Sequence, residues 1–419
     1  MSIPCPPGVD HEIRRLLRRG TALGGAAASA DHHLLWNALG EATEGGRRFR
    51  PALLLATHDS LGGSRHEAAI QVAAAVEILH TAFVVQDDVI DGDQMRRGAP
   101  SLPASVAAQV RRGGATAHTA RQVGDLAGIL AGDLGLITAL RAVAGCSAPA
   151  PVVAALLDLM ESSLHASAAG EIADVQSPLR PAERPETPQE ALTVAELKTA
   201  VYSFQLPLHA AGLLADASPD RLEALDAIGA LLGIGFQLVD DLLGVFGDEE
   251  RTGKSALGDL REGKRTALVA HAATTAHWPR LRTPLGREDL TDEEARGARD
   301  LLTASGSRDW VEELALWHLS SAVDAAHATT SRPRSARLSL PPSRRSTPAS
   351  SRSRRRTCRK ESRPGPIPSR PPARRAPPHS VTPPRSGPAH ERLRRSRGPA
   401  GARHRRERVH RRPASAGDD

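Results

Sequence analysis

Two stretches of this chain, HEAAIQVAAAVEILHTAFVVQDDVID (66–91) and RLEALDAIGALLGIGFQLVDDLLGVF (221–246), are long, apolar and rich in Ala and Leu, and each runs into an Asp–Asp pair near its end. A helix of that length that is apolar nearly all round cannot ride on a surface; it must be buried among other helices. From about residue 30 to about 327 Ala and Leu dominate, and no strand-length apolar runs bounded by hairpin turns appear. The fold expected is therefore all-α, a bundle with a buried central helix layer. Breaks fall at Gly45-Gly46, Gly98-Ala99-Pro100, Ser147-Ala148-Pro149, the Pro-rich 178–188 and Gly247. No repeat of fixed period is present.

The net charge of +7 hides two unlike parts. Residues 331–419 hold 26 Lys+Arg against 5 Asp+Glu, while the remainder holds 29 against 43, a net −14. The basic part also has 16 of the 32 prolines and no Phe, Trp or Tyr. It cannot bury enough apolar surface to offset its ordering entropy, so 328–419 is expected to be a disordered tail. Three readings of it stay open: a solvated tail, an anion-binding arm, or a GC-rich gene read out of frame. The abrupt change favours the third, which resequencing tests. With no aromatics among the arginines, nucleic-acid binding there would be non-specific and salt-dependent. Residues 1–29 are set apart as an N-terminal segment. The three cysteines, Cys5, Cys146 and Cys358, form no framework, and the N-terminus shows no signal-peptide pattern. Both suggest a cytoplasmic protein. Residues 67–90 carry Glu67, Gln71, Glu77, His80 and the Asp pair, too polar for a lipid-facing helix, so no transmembrane anchor is expected.

Asp87 and Asp91 stand four residues apart and share one helical face. Like charges so placed need a positive partner, and a divalent, oxygen-seeking ion held jointly with phosphates is a natural one. The bland alternative is a solvated acidic helix end. A second cluster, Asp240-Asp241 with Asp248 after a Gly break, makes that alternative harder to hold. Basic residues lie near both: Arg96-Arg97 after the first, Lys254 and Lys264 after the second, and Gly45-Gly46-Arg47-Arg48-Phe49-Arg50-Pro51 upstream. A Gly pair lets backbone approach a ligand, and guanidinium forks meet phosphate oxygens in bidentate fashion.

In this order the motifs resemble those of trans-type polyprenyl diphosphate synthases, the family of farnesyl and geranylgeranyl diphosphate synthases. The resemblance rests on GGRRFRP (45–51), DDVIDGDQMRRGAPS (87–101), GILAGDLGL (128–136), Lys198-Thr199, FQLVDDLLGVFGD (236–248) and TGKSALGDLREGKRTAL (252–268), and it spans roughly 30–325. It implies a helical bundle around an apolar cavity and a prenyltransferase that joins isopentenyl diphosphate to an allylic diphosphate. By the same resemblance Asp87, Asp91 and Asp240 would hold Mg²⁺, supported by Asp88 and Asp241. Arg96, Lys198 and Lys264 would contact the allylic diphosphate. Arg47, Arg50, His80 and Arg97 would bind isopentenyl diphosphate, and Thr199, Gln237 and Lys254 would line the substrate region. The family also implies a homodimer.

Phe83, four residues before Asp87, is either ordinary core or a floor that limits product length, with Ala82 beside it leaving room; together they suggest a C15 or C20 product. Three departures stand out: Gln86 where the family often has His, Gly244 where many members have a third Asp, and a basic tail where further helices should close the bundle. The competing readings are a class I terpene cyclase and a catalytically impaired or regulatory synthase subunit. The second Asp–Asp cluster and the arginines at 45–51 favour chain elongation over cyclisation.

Overall fold

In the computed structural model, residues 7–24, 29–181, 184–247, 258–287 and 289–331 are described. Lys254, Asp248 and the basic segment from 332 onward lie outside them. The helices in chain order are α1 (Pro7–Ala22), α2 (Ala30–Thr43), α3 (Phe49–Ser60), α4 (His66–Ile90), α5 (Leu102–Arg112), α6 (Ala117–Ala144), α7 (Ala150–Gln176) and α8 (Pro188–Ala195). A π-helix, Glu196–Gln205, leads into α9 (Leu206–Leu214) and α10 (Pro219–Phe246). The rest are α11 (Gly258–Glu262), α12 (Ala267–Ala273), α13 (Trp278–Leu281), α14 (Asp292–Ala304) and α15 (Ser307–Ser331). Among the described residues the strands are a single two-residue antiparallel pair, β1 (Met95–Arg96) and β2 (Ala99–Pro100). Arg97 and Gly98 turn it, both at positive φ, as a tight hairpin requires.

The apolar character of α4 has a direct cause: fifteen of its 25 residues are buried, and α1, α2, α3, α5, α6 and α9 all pack on it. Its closest neighbour is α6, which meets it through a line of glycines. A Cβ on Gly128, Gly132 or Gly135 would stand 2.4, 2.5 and 2.9 Å from Val89, Gln86 and Ala82. These gaps let the two backbones approach closely and fix how α4 is rotated. The N-terminal segment also belongs to this body, since Val9, Ile13 and Leu16 of α1 sit in the main core with α4.

By length and composition α4, α6, the stretch Ala150–Leu179 and α10 each reach what a membrane span needs, contrary to the expectation drawn from 67–90. For α4 the apolarity serves the bundle instead, with 78% of its most apolar window buried inside the protein. The windows of α6, Ala150–Leu179 and α10 are less covered, at 44, 22 and 39%.

The π-helix is gripped from two sides. A Cβ on Gly170 of α7 would lie 2.4 Å from the Lys198 amide nitrogen, and one on Gly233 of α10 would lie 2.2 Å from the Ala200 side chain. Glycines at these points bring α7 and α10 against the π-helix backbone, which sets where Lys198 and Thr199 stand.

Candidate active site

The acidic end of α4 is met by cations on two sides. Arg96 donates from Nε to Asp88 Oδ1 at 2.6 Å, and from Nη2 to Asp93 Oδ2 at 2.8 Å and Asp87 Oδ2 at 3.2 Å. Lys198 reaches Asp174 Oδ2 at 2.7 Å, Glu171 Oε1 at 3.1 Å and Asp87 Oδ1 at 3.4 Å. Burial opposes the charge on Lys198, but Asp174, Asp87 and Glu171 more than offset it and its pKa is raised. Burial pushes Asp88 up to about 6 although Arg96 pulls the other way. Asp91 is raised too, by burial and then by Asp87.

At the end of α10 the balance is different. Asp240 is exposed and Asp241 is buried. Thr199 Oγ1 donates to Gln237 Oε1 at 2.7 Å, and Gln237 Nε2 donates to Asp241 Oδ1 at 2.7 Å, tying the π-helix to α10. Burial drives Asp241 up to about 8; the Gln237 hydrogen bond opposes this, and the charges of Asp259, Asp240 and Asp174 add to it. Lys264 lies between the two ends, 3.0 Å from Glu262 and 3.6 Å from Asp259. Burial works against its charge, yet Asp259, Glu262 and Asp91 raise its pKa. Gly244 has a physical reason here: its Cβ would stand 2.0 Å from Asp259 Oδ2, so the Asp259 carboxylate fills the space a third aspartate would need.

A second group surrounds His80 on α4. Its ring stacks on Tyr202 at 6.0 Å, and the Arg50 guanidinium lies over the same tyrosine ring, 5.0 Å from its centroid. Arg50 Nη2 donates to Ser203 Oγ at 2.8 Å. Burial holds His80 well below its ordinary pKa, and Arg50, Arg97, Arg96 and Arg48 all push the same way. Arg97 Nη1 donates to the Glu44 carbonyl at 3.3 Å, whereas Arg47 is exposed. A wall of guanidiniums around one neutralised imidazole favours an anion.

Phe83 packs in the main core with its edge on Tyr202, ring centroids 4.9 Å apart. Ala82 is fully buried and faces Gly135 of α6. Its small size serves the α4–α6 contact. Gln86 donates to Asp133 Oδ1 at 3.4 Å. Sequence reasoning missed Glu171 and Asp174, which hold Lys198, and Arg48. The Arg48 guanidinium joins Asp10 of α1 at 2.9 Å, the Thr43 carbonyl at 2.6 Å and the buried Glu77 of α4 at 3.0 Å. A signal for the first two was present: Glu171 and Asp174 are three apart on an apolar helix and share a face.

Comparison with known proteins decides the family. Residues 32–301 match polyprenyl synthetase. The chain belongs to the polyprenyl synthetase family. It is 31% identical to a geranylgeranyl diphosphate synthase of Sulfolobus acidocaldarius over 69% of this chain and 82% of that one. It is 32% identical to a (2E,6E)-farnesyl diphosphate synthase of Mycobacterium bovis over 67% and 73%. Among solved structures, a geranylgeranyl pyrophosphate synthase of Corynebacterium glutamicum, complexed with isoprenyl diphosphate and magnesium, aligns with a TM-score of 0.71 and 28% identity. That alignment covers 78% of this chain and 93% of the other. Membership in this family and the all-helical fold agree with what the motifs implied.

Proposed function

We propose that this polyprenyl synthetase is a trans-prenyltransferase that condenses isopentenyl diphosphate with an allylic diphosphate to a C15–C20 product. The observation that carries the reading is the pairing of two acidic helix ends, met by Lys198 and Lys264, with a separate cluster of arginines around His80. Two anionic substrates need two such places. The similarity to proteins named geranylgeranyl and farnesyl diphosphate synthases supports the short product length.

The donor set suits magnesium. Asp87, Asp91 and Asp240 offer hard carboxylate oxygens, and the buried, raised Asp241 stands where added positive charge is favoured. These three aspartates would hold the ion, with Asp88 and Asp241 behind them. When bound, magnesium supplies charge neutralisation at the departing diphosphate. Arg96, Lys198 and Lys264 bring fixed positive charge to the same diphosphate, an electrostatic contribution that is often the largest in catalysis. Arg50, Arg97 and the exposed Arg47 bind the second diphosphate, and His80 and Tyr202 hold Arg50 in place. Gln237, fixed by Thr199, orients Asp241. Phe83 bounds the space below the first acidic cluster.

The apolar face of α6, with Val123, Leu126, Leu130 and Ile137 all exposed at helical spacing, supports a homodimer across this helix. Sedimentation as a monomer alone would refute that.

The deciding test supplies labelled isopentenyl diphosphate with dimethylallyl, geranyl or farnesyl diphosphate, with and without Mg²⁺. Metal-dependent elongation stopping at C15 or C20 is expected. A folded protein that elongates none of the three primers would sink the reading.

A further inference from the structure

At the far end of α4 from the aspartates, three metal-ligating side chains meet. His58 and Asp59 stand near the end of α3, and His66 opens α4. Asp59 Oδ1 lies 3.2 Å from His58 Nδ1 and 3.6 Å from His66 Nδ1. The three donor atoms all fall within 4.8 Å of one another. Bonds of about 2.0–2.1 Å in a tetrahedron put neighbouring donors about 3.3 Å apart. The two spacings through Asp59 therefore match an edge of such a site before any ion enters.

The turn between the helices is built around this corner. His58 is fully buried, and its Nε2 is enclosed without a hydrogen-bond partner. A Cβ on Gly63 would stand 2.2 Å from that nitrogen, so the backbone of the turn wraps the ring. Gly62, at φ +72°, folds the chain back. As a result the His58 and His66 rings meet edge to face at 5.3 Å. Nδ1 is the only nitrogen His58 can offer, and its direction is fixed by packing. Asp59 and His66 are exposed, leaving the remaining coordination positions open to water.

We propose that His58, Asp59 and His66 bind a divalent transition-metal ion, Zn²⁺ or the chemically similar Co²⁺ or Ni²⁺, which clips the α3–α4 turn. Two imidazoles and one carboxylate select borderline metals over Mg²⁺, which prefers oxygen donors. The site is distinct from the acidic clusters: His66 and Asp87 are separated by about 32 Å along α4 at 1.5 Å per residue. A ligating imidazole ordinarily donates its other N–H to an acceptor, and losing such a partner weakens binding about 10–100-fold. His58 lacks one, so this is an exchangeable site rather than a permanent one.

The test uses untagged full-length protein in saturating Mg²⁺, titrated with Zn²⁺ by calorimetry and with Co²⁺ by visible absorption. Because His58 is core, the variants are His66→Ala and Asp59→Asn, both at exposed positions. The expected result is one equivalent of bound ion, an affinity at least tenfold weaker in each variant, and a Zn²⁺-dependent rise in melting temperature seen only in the parent. Mg²⁺-dependent activity should be the same in all three proteins. Absence of transition-metal binding, or equal affinity in parent and both variants, would overturn the proposal.

Discussion

At the end of α4 the buried Asp88 is met by the guanidinium of Arg96, while at the end of α10 the buried Asp241 is met by the amide of Gln237. Both helices carry an Asp–Asp pair, and both pairs have one aspartate facing inward. The first inner aspartate is pushed up to about 6 and the second to about 8. The gap follows from the partner. A fixed cation offsets much of the burial penalty, whereas a neutral donor flanked by Asp240 and Asp259 does not. One acidic end is thus balanced from within the protein, and the other is left short of positive charge.

Removing a proposed metal ligand should have the largest effect at either end. Asp87→Asn and Asp240→Asn are each expected to lower kcat about a thousandfold in elongation assays, in line with losing a principal charge-stabilising group. If Asp240→Asn is nearly silent, the α10 end is not a metal site. Next comes Arg96→Ala, which strips Asp88 of its partner. Chemical denaturation should show a loss of about 3 kcal/mol, the usual scale when one member of a buried pair is removed. Gln237→Ala at the other end should cost only about 1 kcal/mol, and equal losses would erase the distinction.

The pH response should differ as well. Asp241 has its folded pKa raised from 3.8 to about 8, so the folded state holds that proton more tightly than the unfolded one. Its contribution to stability is full below about pH 4 and is lost as pH rises towards 8, with a slope of at most about 1.4 kcal/mol per unit. Melting of metal-free protein should show this decline, and Asp241→Asn should flatten it between pH 6 and 8. An unchanged slope in the variant would show that other groups carry it. The smallest effect belongs to Gly244→Ala, where the new methyl presses on Asp259; a loss of about 1 kcal/mol is expected from such overpacking.

The ends of α4 and α10 were legible because apolar runs closing on Asp pairs are a local pattern. The positions of Arg96 and Lys198 were legible as motif members, but their partners were not all so. Glu171 and Asp174 lie 24 residues or more before Lys198, and only the fold brings α7 against the π-helix. Arg48 was passed over between Arg47 and Arg50, since nothing local shows that it ties α1 and α2 to Glu77. The packing of Ala82 on Gly135 was not legible, because what a helical side chain meets depends on which neighbour has glycines facing it. The π-helix left no trace in the hydrophobic pattern; it sits between the close backbone approaches at Gly170 and Gly233.

The π-helix sets a phase. Lys198 and Thr199, at the start of the π-helix, engage Asp87 and Gln237; Tyr202 and Ser203, near its end, engage Arg50. Each residue of an α-helix turns the next side chain by about 100°. Deleting one residue of the pair Ala200-Val201 would shift the register and swing one of these two sets off its partners. The two proposed diphosphate sites are therefore timed to each other like gears on one shaft, through the register of one short helix.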